Sequence, residues 1–352
     1  MTSQERIKRM FEHREADRIP IADSPWSGTI RRWKQEGMPA DSDWRDYFGV
    51  DKIEEIHADI SPQYDRTVIE EGSNYRIVTT EWGVTMKEFK EEDSTPEFLD
   101  FKVDDANKWL EAKARMKPSP ERIDWNYLKQ NYARWQKEGS WVRAVFWFGF
   151  DVSHSWFVGT ETMLIALLTE PEWAENMFSH FLNMCMAEFQ MILDAGYKFD
   201  SIFWPDDMGY KNTQFFSAEV YNRLLKPYQK KAADWAHERG LKVHYHSCGD
   251  IMPRVQDLVE IGIDCLNPIE VKAGMDPFVL KQNFGDRMAF HGGFDAMNYN
   301  DRDKAMAEIE KLVPVMMEGG GYIFSSDHSI PSSVSLELAR EIFNKVKTIG
   351  RY

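Results

Sequence analysis

The second half of the chain alternates regularly between short apolar runs and longer amphipathic segments. Between the runs, apolar positions recur with helical spacing, as over residues 171–196 and over 217–240, where Ser217 is the expected N-cap and Gly240 the C-terminal stop. Strand, helix and strand in succession predict parallel βαβ units, and therefore an α/β fold, the (β/α)8 TIM barrel. The apolar runs, rich in β-branched and aromatic residues, cover 142–150, 201–207, 242–248, 265–270, 288–295 and 322–327.

The first part of the chain is less regular. Ser3 is the expected N-cap of a first helix, the apolar run within residues 18–23 predicts a first strand, and near-alternation over 75–89 predicts a hairpin. No linker rich in Gly, Ser or Pro divides the chain. We therefore expect a single domain over residues 1–352, with a helical and hairpin elaboration over 1–125 and regular βα repeats over 140–352.

Composition narrows the classes of function. The chain has 352 residues, with 58 acidic against 43 basic side chains and a net charge of −15. An acidic surface repels phosphate backbones, so nucleic acid is not an expected partner. No apolar run approaches the ~18 residues that span a membrane, and no secretory signal begins the chain. With 3 scattered cysteines and no disulfide framework, we expect a reduced, cytoplasmic protein. The sequence leaves open whether the protein is a homodimer.

Each of the later predicted strands ends in a polar cluster. In chain order the clusters read DDMG, HSCGD, NPIE, HGGFD and SSDHS. The carboxyl ends of barrel strands converge on one mouth, where active sites lie. An open doubly wound sheet also binds ligands at this edge, but no GxGxxG follows the first strand. The clusters therefore predict a chemical site at the barrel mouth.

His246 and Cys248 give the sharpest chemical signal. Residues two apart in a strand point to the same side, so an imidazole and a thiolate here can bind one cation, and Zn²⁺ suits mixed nitrogen and sulfur ligands. A buried cysteine beside a hydrogen-bonded histidine is the structural alternative. Catalytic zinc uses three protein ligands, so the set stays open among these two and the further candidates Glu270, His291 and His328.

Carboxylates supply the remaining candidate chemistry. The pair Asp206 and Asp207 suits acid–base work or substrate contact, with a solvated turn as the alternative. Asp327 precedes His328 and is expected either to orient its imidazole or to be a ligand itself. Asp295, in the HGGFD cluster, is a candidate substrate contact.

Several segments resemble the uroporphyrinogen decarboxylase superfamily: ERIKRMFEHREADRIPI at the start, then HSCGD, NPIE, GGFD and SSDHSIP. The resemblance covers most of the chain, is strongest from about residue 200 onward, and implies a (β/α)8 barrel. The decarboxylases of the superfamily carry an MRQAGR-like segment that binds substrate carboxylates. Here the comparable segment reads SPWSGTIRRWKQEG, which contains Arg31 and Arg32 without the motif. An octacarboxylate would also require a strongly basic cleft.

The other branch of the superfamily contains zinc-dependent methyltransferases that act with corrinoid proteins. Resemblance to this branch implies that His246 and Cys248 hold zinc and that His328 stands in place of a further cysteine. Some O-demethylase components bind zinc through Glu and His instead, which Glu270 and His291 match, although the upstream Glu of that arrangement is missing. The ligand set stays open between the two arrangements.

The resemblance implies a methyltransferase of a cobalamin-dependent demethylase system. The methyl donor would be a small methoxylated, aromatic compound, and the acceptor Co(I) of a cobalamin on a separate corrinoid protein, since no DxHxxG-type segment occurs. Zinc would polarise the ether oxygen, and Asp206, Asp207 or Tyr210 would supply a proton to the leaving group. The rings expected to wall the substrate pocket lead to the mouth and include Trp26, Trp147, Phe148, Phe150, Trp156, Phe203 and Trp204.

Three other functions stay open. Methyl transfer could run the other way, from a methylated corrinoid protein to a thiol or a folate. The chain could also be a decarboxylase that acts on a smaller substrate. A zinc-stabilised binding protein without activity is the non-enzymatic alternative, but a structural zinc is closed by four protein ligands, whereas the mouth offers a mixed set with acids nearby.

Overall fold

The structure is a computed structural model that describes residues 1–90 and 95–352. Its strands are β1 (Ile53–Ile56), β2 (Thr67–Glu71), β3 (Tyr75–Thr79), β4 (Val84–Phe89), β5 (Glu97–Phe101), β6 (Trp141–Val145), β7 (Ser201–Pro205), β8 (Gly209–Tyr210), β9 (Thr213–Gln214), β10 (Lys242–His246), β11 (Cys265–Asn267), β12 (Ala289–His291) and β13 (Tyr322–Ile323). Its α-helices are α1 (Ser3–Phe11), α2 (Ser27–Gln35), α3 (Trp44–Phe48), α4 (Ala106–Arg115), α5 (Trp125–Glu138), α6 (Phe150–Trp156), α7 (Thr160–Thr169), α8 (Pro171–Asp194), α9 (Ala218–Val220), α10 (Lys226–His237), α11 (Val255–Ile261), α12 (Pro277–Phe284), α13 (Arg302–Met317) and α14 (Leu336–Ile349).

Seven strands form one curled parallel sheet in the order β1-β6-β7-β10-β11-β12-β13. All six strands predicted from the apolar runs are in this sheet, and the predicted polar clusters begin where the strands end. The strands alternate with helices along the chain, as parallel neighbours require. The fold is therefore α/β and TIM-barrel-like, which confirms the predicted class.

Residues 19–25 occupy the eighth place, between β13 and β1, without forming a regular strand. An isolated parallel bridge joins Ile21 to Phe324 on the β13 side. On the other side the backbone N–H of Asp51 donates to the Ile21 carbonyl at 2.8 Å. The segment contains two prolines, and because proline has no N–H donor, a continuous ladder cannot form. The first strand predicted over 18–23 is thus an extended segment held by bridges.

The two predicted long helices are present, the second of them with an irregularity. Ser217 caps α9, as predicted, and a π-helical turn over Tyr221–Leu225 then separates α9 from α10. The predicted N-cap of α1 is wrong by one residue, because Thr2 rather than Ser3 forms the capping box with Glu5. Among the described residues, every helix is too short or too polar to cross a lipid bilayer.

Strands β2 to β5 form a separate antiparallel sheet, which contains the predicted hairpin over residues 75–89 as β3 and β4. Trp82, in the turn of this hairpin, lies 5.4 Å from the ring of Trp147 and 5.9 Å from that of Phe181, measured between ring centroids. Trp147 follows β6, and Phe181 belongs to α8. Aromatic packing therefore joins the N-terminal elaboration to the barrel.

Candidate metal centre

Asp207, His246 and Cys248 meet where β7 and β10 end. One ligand-type atom from each residue lies within 4.8 Å of the other two. The Cys248 Sγ is 3.5 Å from His246 Nε2, which is 3.6 Å from Asp207 Oδ1. The strands are hydrogen-bonded neighbours with Trp204 opposite Tyr245, so the loops that follow them emerge side by side. The geometry places the predicted His–Cys pair together and adds Asp207, which the sequence suggested for acid–base work.

The hydrogen bonds of His246 leave the lone pair of its Nε2 available to a metal. Its Nδ1 lies 2.8 Å from Asn267 Oδ1, and the Asn267 Nδ2 donates to the His291 carbonyl at 3.1 Å. Because the amide nitrogen of Asn267 is engaged by a carbonyl, its oxygen faces His246, and Nδ1 carries the imidazole proton. A neutral imidazole with a free ring nitrogen is the form that binds metals.

Two glycines allow the loops after β7 and β10 to approach closely. Gly249 has a φ of +79°, and a Cβ at this position would lie 2.2 Å from the Gly209 carbonyl carbon. A Cβ on Gly209 would lie 2.6 Å from the Cys248 carbonyl oxygen. The Ser247 hydroxyl, between the candidate ligands His246 and Cys248, accepts the N–H of Met208 at 3.0 Å. The glycines of DDMG and HSCGD are therefore needed for the contact that assembles the triad.

The triad lies in an acidic environment. Burial raises the pKa of the Cys248 thiol well above its usual range, and the carboxylates of Asp207 and Glu270 raise that pKa further. Burial, reinforced by the charge of Asp207, also raises the pKa of Asp151. A divalent cation would neutralise these carboxylates and stabilise the thiolate.

The donor set fits zinc. A thiolate sulfur, an imidazole nitrogen and a carboxylate oxygen are the ligand types of zinc sites, whereas magnesium and calcium prefer oxygen alone. Three protein ligands leave one tetrahedral position for water or substrate, as in catalytic sites. Asp207, His246 and Cys248 therefore form a candidate zinc site.

Two of the other predicted ligands, Glu270 and His328, lie around this site with other partners. The Glu270 carboxylate accepts the N–H of Gly249 at 2.6 Å, so it supports the loop that carries Cys248. His328 is exposed, and its ring lies 6.1 Å from that of Trp26. Within the described chain, the cluster of ligand atoms that satisfies the 4.8 Å limit contains neither residue, and their predicted ligand roles stay predictions.

His291 belongs to a buried hydrogen-bond chain. Its Nε2 lies 2.7 Å from the Ala22 carbonyl, and its Nδ1 lies 3.3 Å from His244 Nε2. Because a carbonyl only accepts, His291 donates from Nε2 and accepts at Nδ1, and Arg143 then donates to His244 Nδ1 at 3.5 Å. Burial lowers the pKa of both histidines, in accord with neutral rings. His291 thus ties the eighth segment to the barrel with both ring nitrogens.

The predicted acid–base residues are separated in the structure. Asp206 is fully buried and accepts the N–H of Phe150 at 2.7 Å and the side-chain amide of Gln229 at 2.8 Å. Burial raises the pKa of Asp206 to about 7. Asp207 belongs to the triad, and Tyr210 is 53% exposed on β8. Asp206 therefore holds the first turn of α6 in place, while Asp207 faces the site.

The two aspartates of the last clusters both stabilise the loop that follows β12. Asp327 is fully buried, and its Oδ1 accepts the N–H of Ala296 at 2.9 Å. Its Oδ2 has no hydrogen-bond partner in the described structure. Asp295 accepts the N–H of Met297 at 2.9 Å and so caps a short 3-10 helix.

The predicted aromatic wall divides into rings near the triad and rings in the core. Phe203 lines the cavity beside the triad, and Trp26 is half-buried beside His328. Trp147 is half-buried and donates its indole N–H to Asp151 at 3.1 Å. Trp156 packs edge-on against the Trp147 ring at 5.4 Å. The rings that are fully buried in the core are those of Phe148, Phe150 and Trp204.

A cavity of about 350 Å³ opens beside the triad. Its walls come from the eighth segment, β6, and the ends of β7 and β10 to β13. A second cavity of about 740 Å³ adjoins it through shared residues that include Arg143 and His291. The lining of the smaller cavity includes the whole triad together with Asp23, Arg143, Phe203, Asn267, Ser326, Asp327 and His328.

Sequence reasoning missed three residues that build this cavity, namely Asp23, Arg143 and Asn267. Asp23 accepts both the N–H and the hydroxyl of Ser326 at 2.8 Å, which joins the eighth segment to the last loop. The Arg143 guanidinium donates to Glu55 at 2.8 Å and lies 3.6 Å above the ring centroid of Phe203. A lone charge within the apolar run of β6 was the available signal for Arg143.

The comparisons with known proteins agree with this architecture. The sequence model of the family described as uroporphyrinogen decarboxylase (URO-D) matches residues 155–349, more than half of the chain, so the chain belongs to this family, as its resemblance implied. No curated protein matches the sequence. A methyltransferase from Methanosarcina mazei superposes with a TM-score of 0.68 at 14% identity over 99% of both chains, which shows a shared fold.

Proposed function

We propose that this member of the uroporphyrinogen decarboxylase family is a zinc-dependent methyltransferase of a cobalamin-dependent demethylase system. It moves a methyl group from a small methoxylated, aromatic donor to Co(I) of a cobalamin carried by a partner corrinoid protein. The observation that carries the proposal is the triad of Asp207, His246 and Cys248, with ligand atoms within 4.8 Å of one another at the wall of a cavity. The fold shared with a methyltransferase supports it.

The chain's own residues hold and orient the reacting groups. Asp207, His246 and Cys248 would hold the zinc, which when bound supplies a Lewis acid for the ether oxygen of the donor. Asn267 keeps the proton of His246 on Nδ1 through a 2.8 Å contact. Phe203 adds an aromatic ring to the cavity wall, which suits a flat, apolar donor.

The cavity suits such a donor better than a polyanionic porphyrinogen. Its volume of about 350 Å³ is at the small end of ligand sites. Among the described lining residues, Arg143 is the one arginine or lysine, and Glu55 already pairs with its guanidinium at 2.8 Å. A substrate with many carboxylates would therefore meet the carboxylates of Asp23, Asp207 and Asp327 without a free counter-charge.

A spectroscopic assay tests the proposed reaction. Zinc-loaded protein is incubated with Co(I) cobalamin and a panel of methoxyarenes, and cobalt methylation is followed by its absorbance change. We expect methylation with at least one donor, and loss of both zinc and activity in His246→Ala and Cys248→Ala. Cys265→Ala is the matched control, because Cys265 is buried at the start of β11 and should retain zinc.

Two results would contradict the proposal. One is unchanged zinc content in both His246→Ala and Cys248→Ala, which would place the metal elsewhere. The other is the absence of methylation with every donor while methylcobalamin is demethylated by a thiol or a folate, which would establish the reverse transfer. Release of carbon dioxide from a carboxylated substrate without methyl transfer would instead support a decarboxylase.

A further inference from the structure

One buried carboxylate oxygen, on a residue that lines the triad cavity, has no partner within the described chain. Asp327 lines the cavity and is 0% exposed. Its Oδ1 is held by the N–H of Ala296 at 2.9 Å, which fixes the carboxylate, while Oδ2 accepts no hydrogen bond. Burying a carboxylate oxygen without a donor is costly. A ligand that supplies a donor to Oδ2 therefore gains binding energy there.

The described lining of the cavity provides no free arginine or lysine for this oxygen. Arg143, the one arginine or lysine of the described lining, is paired with Glu55 at 2.8 Å and covers the Phe203 ring. Asp23, also in the lining, already accepts hydrogen bonds from its protein neighbours. Beyond the triad, the lining carboxyl groups therefore have no free arginine or lysine partner, and Oδ2 of Asp327 is an acceptor without a donor.

We propose that Asp327 determines ligand specificity: it accepts a hydrogen bond from a hydroxyl or ammonium group of the bound molecule and disfavours molecules that carry a carboxylate. The inference rests on the proposed function, because it takes the bound molecule to be the methyl donor beside the zinc. Supplying a donor to a buried acceptor that lacks one stabilises the complex, so the donor group should improve affinity by about tenfold.

Calorimetric titration of the zinc-loaded protein with four small arenes measures this preference without turnover. The probes are methoxybenzene, methoxyphenol, methoxybenzylamine as its ammonium ion, and methoxybenzoate. We expect methoxyphenol, the ammonium compound or both to bind about tenfold tighter than methoxybenzene, and methoxybenzoate to bind most weakly. An advantage of the ammonium compound alone identifies ion pairing at Asp327, and an advantage of both identifies hydrogen bonding. Equal affinities for all four probes would overturn the inference.

The variant Asp327→Asn assigns the preference to this residue, because it retains the Oδ1 that Ala296 needs and removes the charge. It should lose the preference while its zinc content stays unchanged. Asp41→Asn, an exposed carboxylate in the adjoining cavity, removes the same charge and should retain the preference. Loss of zinc in Asp327→Asn would make Asp327 a metal ligand and overturn the inference.

The inference and the proposed function fail separately. If no donor methylates cobalamin but the probe preference is present and depends on Asp327, the proposed function fails and the specificity role stands. If cobalamin is methylated but the four probes bind without any preference, the proposed function stands and the specificity role of Asp327 fails. If Asp327→Asn does not fold, the affinities of the unmodified protein for methoxyphenol and for dimethoxybenzene are compared instead. Dimethoxybenzene lacks the hydroxyl donor, so equal affinities would overturn the inference.

Discussion

Asn267 shows how a single neutral side chain sets the chemistry of the candidate metal centre. Its amide nitrogen is engaged by the His291 carbonyl at 3.1 Å, so its oxygen is turned toward the Nδ1 of His246 at 2.8 Å. The contact selects the tautomer in which Nε2 is free for a metal. It also orients the ring, since a hydrogen bond opposite the ligating nitrogen limits rotation.

Replacing Asn267 with alanine should therefore weaken zinc binding by about 10- to 100-fold. Competition with a chromophoric chelator measures the zinc affinity. Asn267→Asp retains an acceptor for His246, so its zinc affinity should be closer to that of the unmodified protein than the zinc affinity of the alanine variant is. Equal zinc affinity of the alanine variant and the unmodified protein would show that Asn267 has no role in the site.

At the scale of single residues, the sequence predicted which residue types form the site better than it predicted which of them contact one another. The apolar run over 242–248 predicted His246 and Cys248 on one strand, so strand periodicity predicted that they meet, although β10 ends at His246. Asp207 and Asn267 come from other strand ends, and their contacts depend on the register between strands, with His246 opposite both Pro205 and Asn267. Periodicity within one strand does not specify that register.

The eighth segment of the barrel depends on one buried carboxylate more than on strand pairing. The Asp51 side chain is 0% exposed and accepts from Arg6 at 2.5 Å, from Arg18 at 2.7 Å and from the N–H of Ile21 at 2.9 Å. These contacts join α1 and the eighth segment to the residues that precede β1. Because the segment lacks a regular ladder, Asp51 replaces strand hydrogen bonds with side-chain ones.

Asp51→Ala should reduce the free energy of unfolding by about 3 kcal/mol, because it removes the carboxylate partner of the partly buried Arg18 and one of the two carboxylate partners of Arg6. Urea unfolding measures the change. Asp46→Ala is the control: the Asp46 side chain is 62% exposed in its pair with Lys52, so its loss should cost about 1 kcal/mol or less. Equal costs for the two variants would contradict the role given to Asp51.

Elements with an uninterrupted pattern were predicted well, and those shaped by tertiary contacts were not. Six barrel strands, the hairpin over 75–89 and α8 follow from local periodicity. The eighth segment and the π-helical turn over Tyr221–Leu225 do not, because bridges and packing against other elements decide their conformation. The same limit applies to the aromatic residues, since the sequence does not show that Phe148, after β6, packs in the core and that Phe203, in β7, lies in the cavity wall.

The stability of the whole molecule should depend on pH through Glu188 of α8. This carboxyl is 0% exposed, accepts the N–H of Ser119 at 3.0 Å and leaves Oε2 without a partner. Burial raises its pKa to about 7 from an ordinary value of 4.5. The native state therefore keeps this proton to higher pH than the unfolded state, and the contribution of Glu188 to stability falls as pH rises between these two values.

Glu188→Gln imitates the protonated acid and should stabilise the protein more at about pH 8 than at about pH 5. Urea unfolding of both proteins at each pH measures the difference. Glu172→Gln changes an exposed carboxyl of the same helix. It should change the free energy of unfolding by a similar small amount at both pH values. A gain for Glu188→Gln that does not vary with pH would show that Glu188 is not protonated in the native protein.

Zinc at the triad would stabilise the whole fold, because its ligands come from two neighbouring strand ends, Asp207 after β7 and the His246–Cys248 pair at β10. Unfolding separates these ligands, so zinc binds the native state and adds about 2.7 kcal/mol at a free concentration 100 times its Kd. The melting temperature should therefore rise with added zinc and fall with a chelator. Cys248→Ala should abolish this dependence, whereas Cys265→Ala should lower the starting melting temperature and retain the shift. A zinc-dependent shift of equal size in Cys248→Ala would mean that the stabilising metal binds away from the triad.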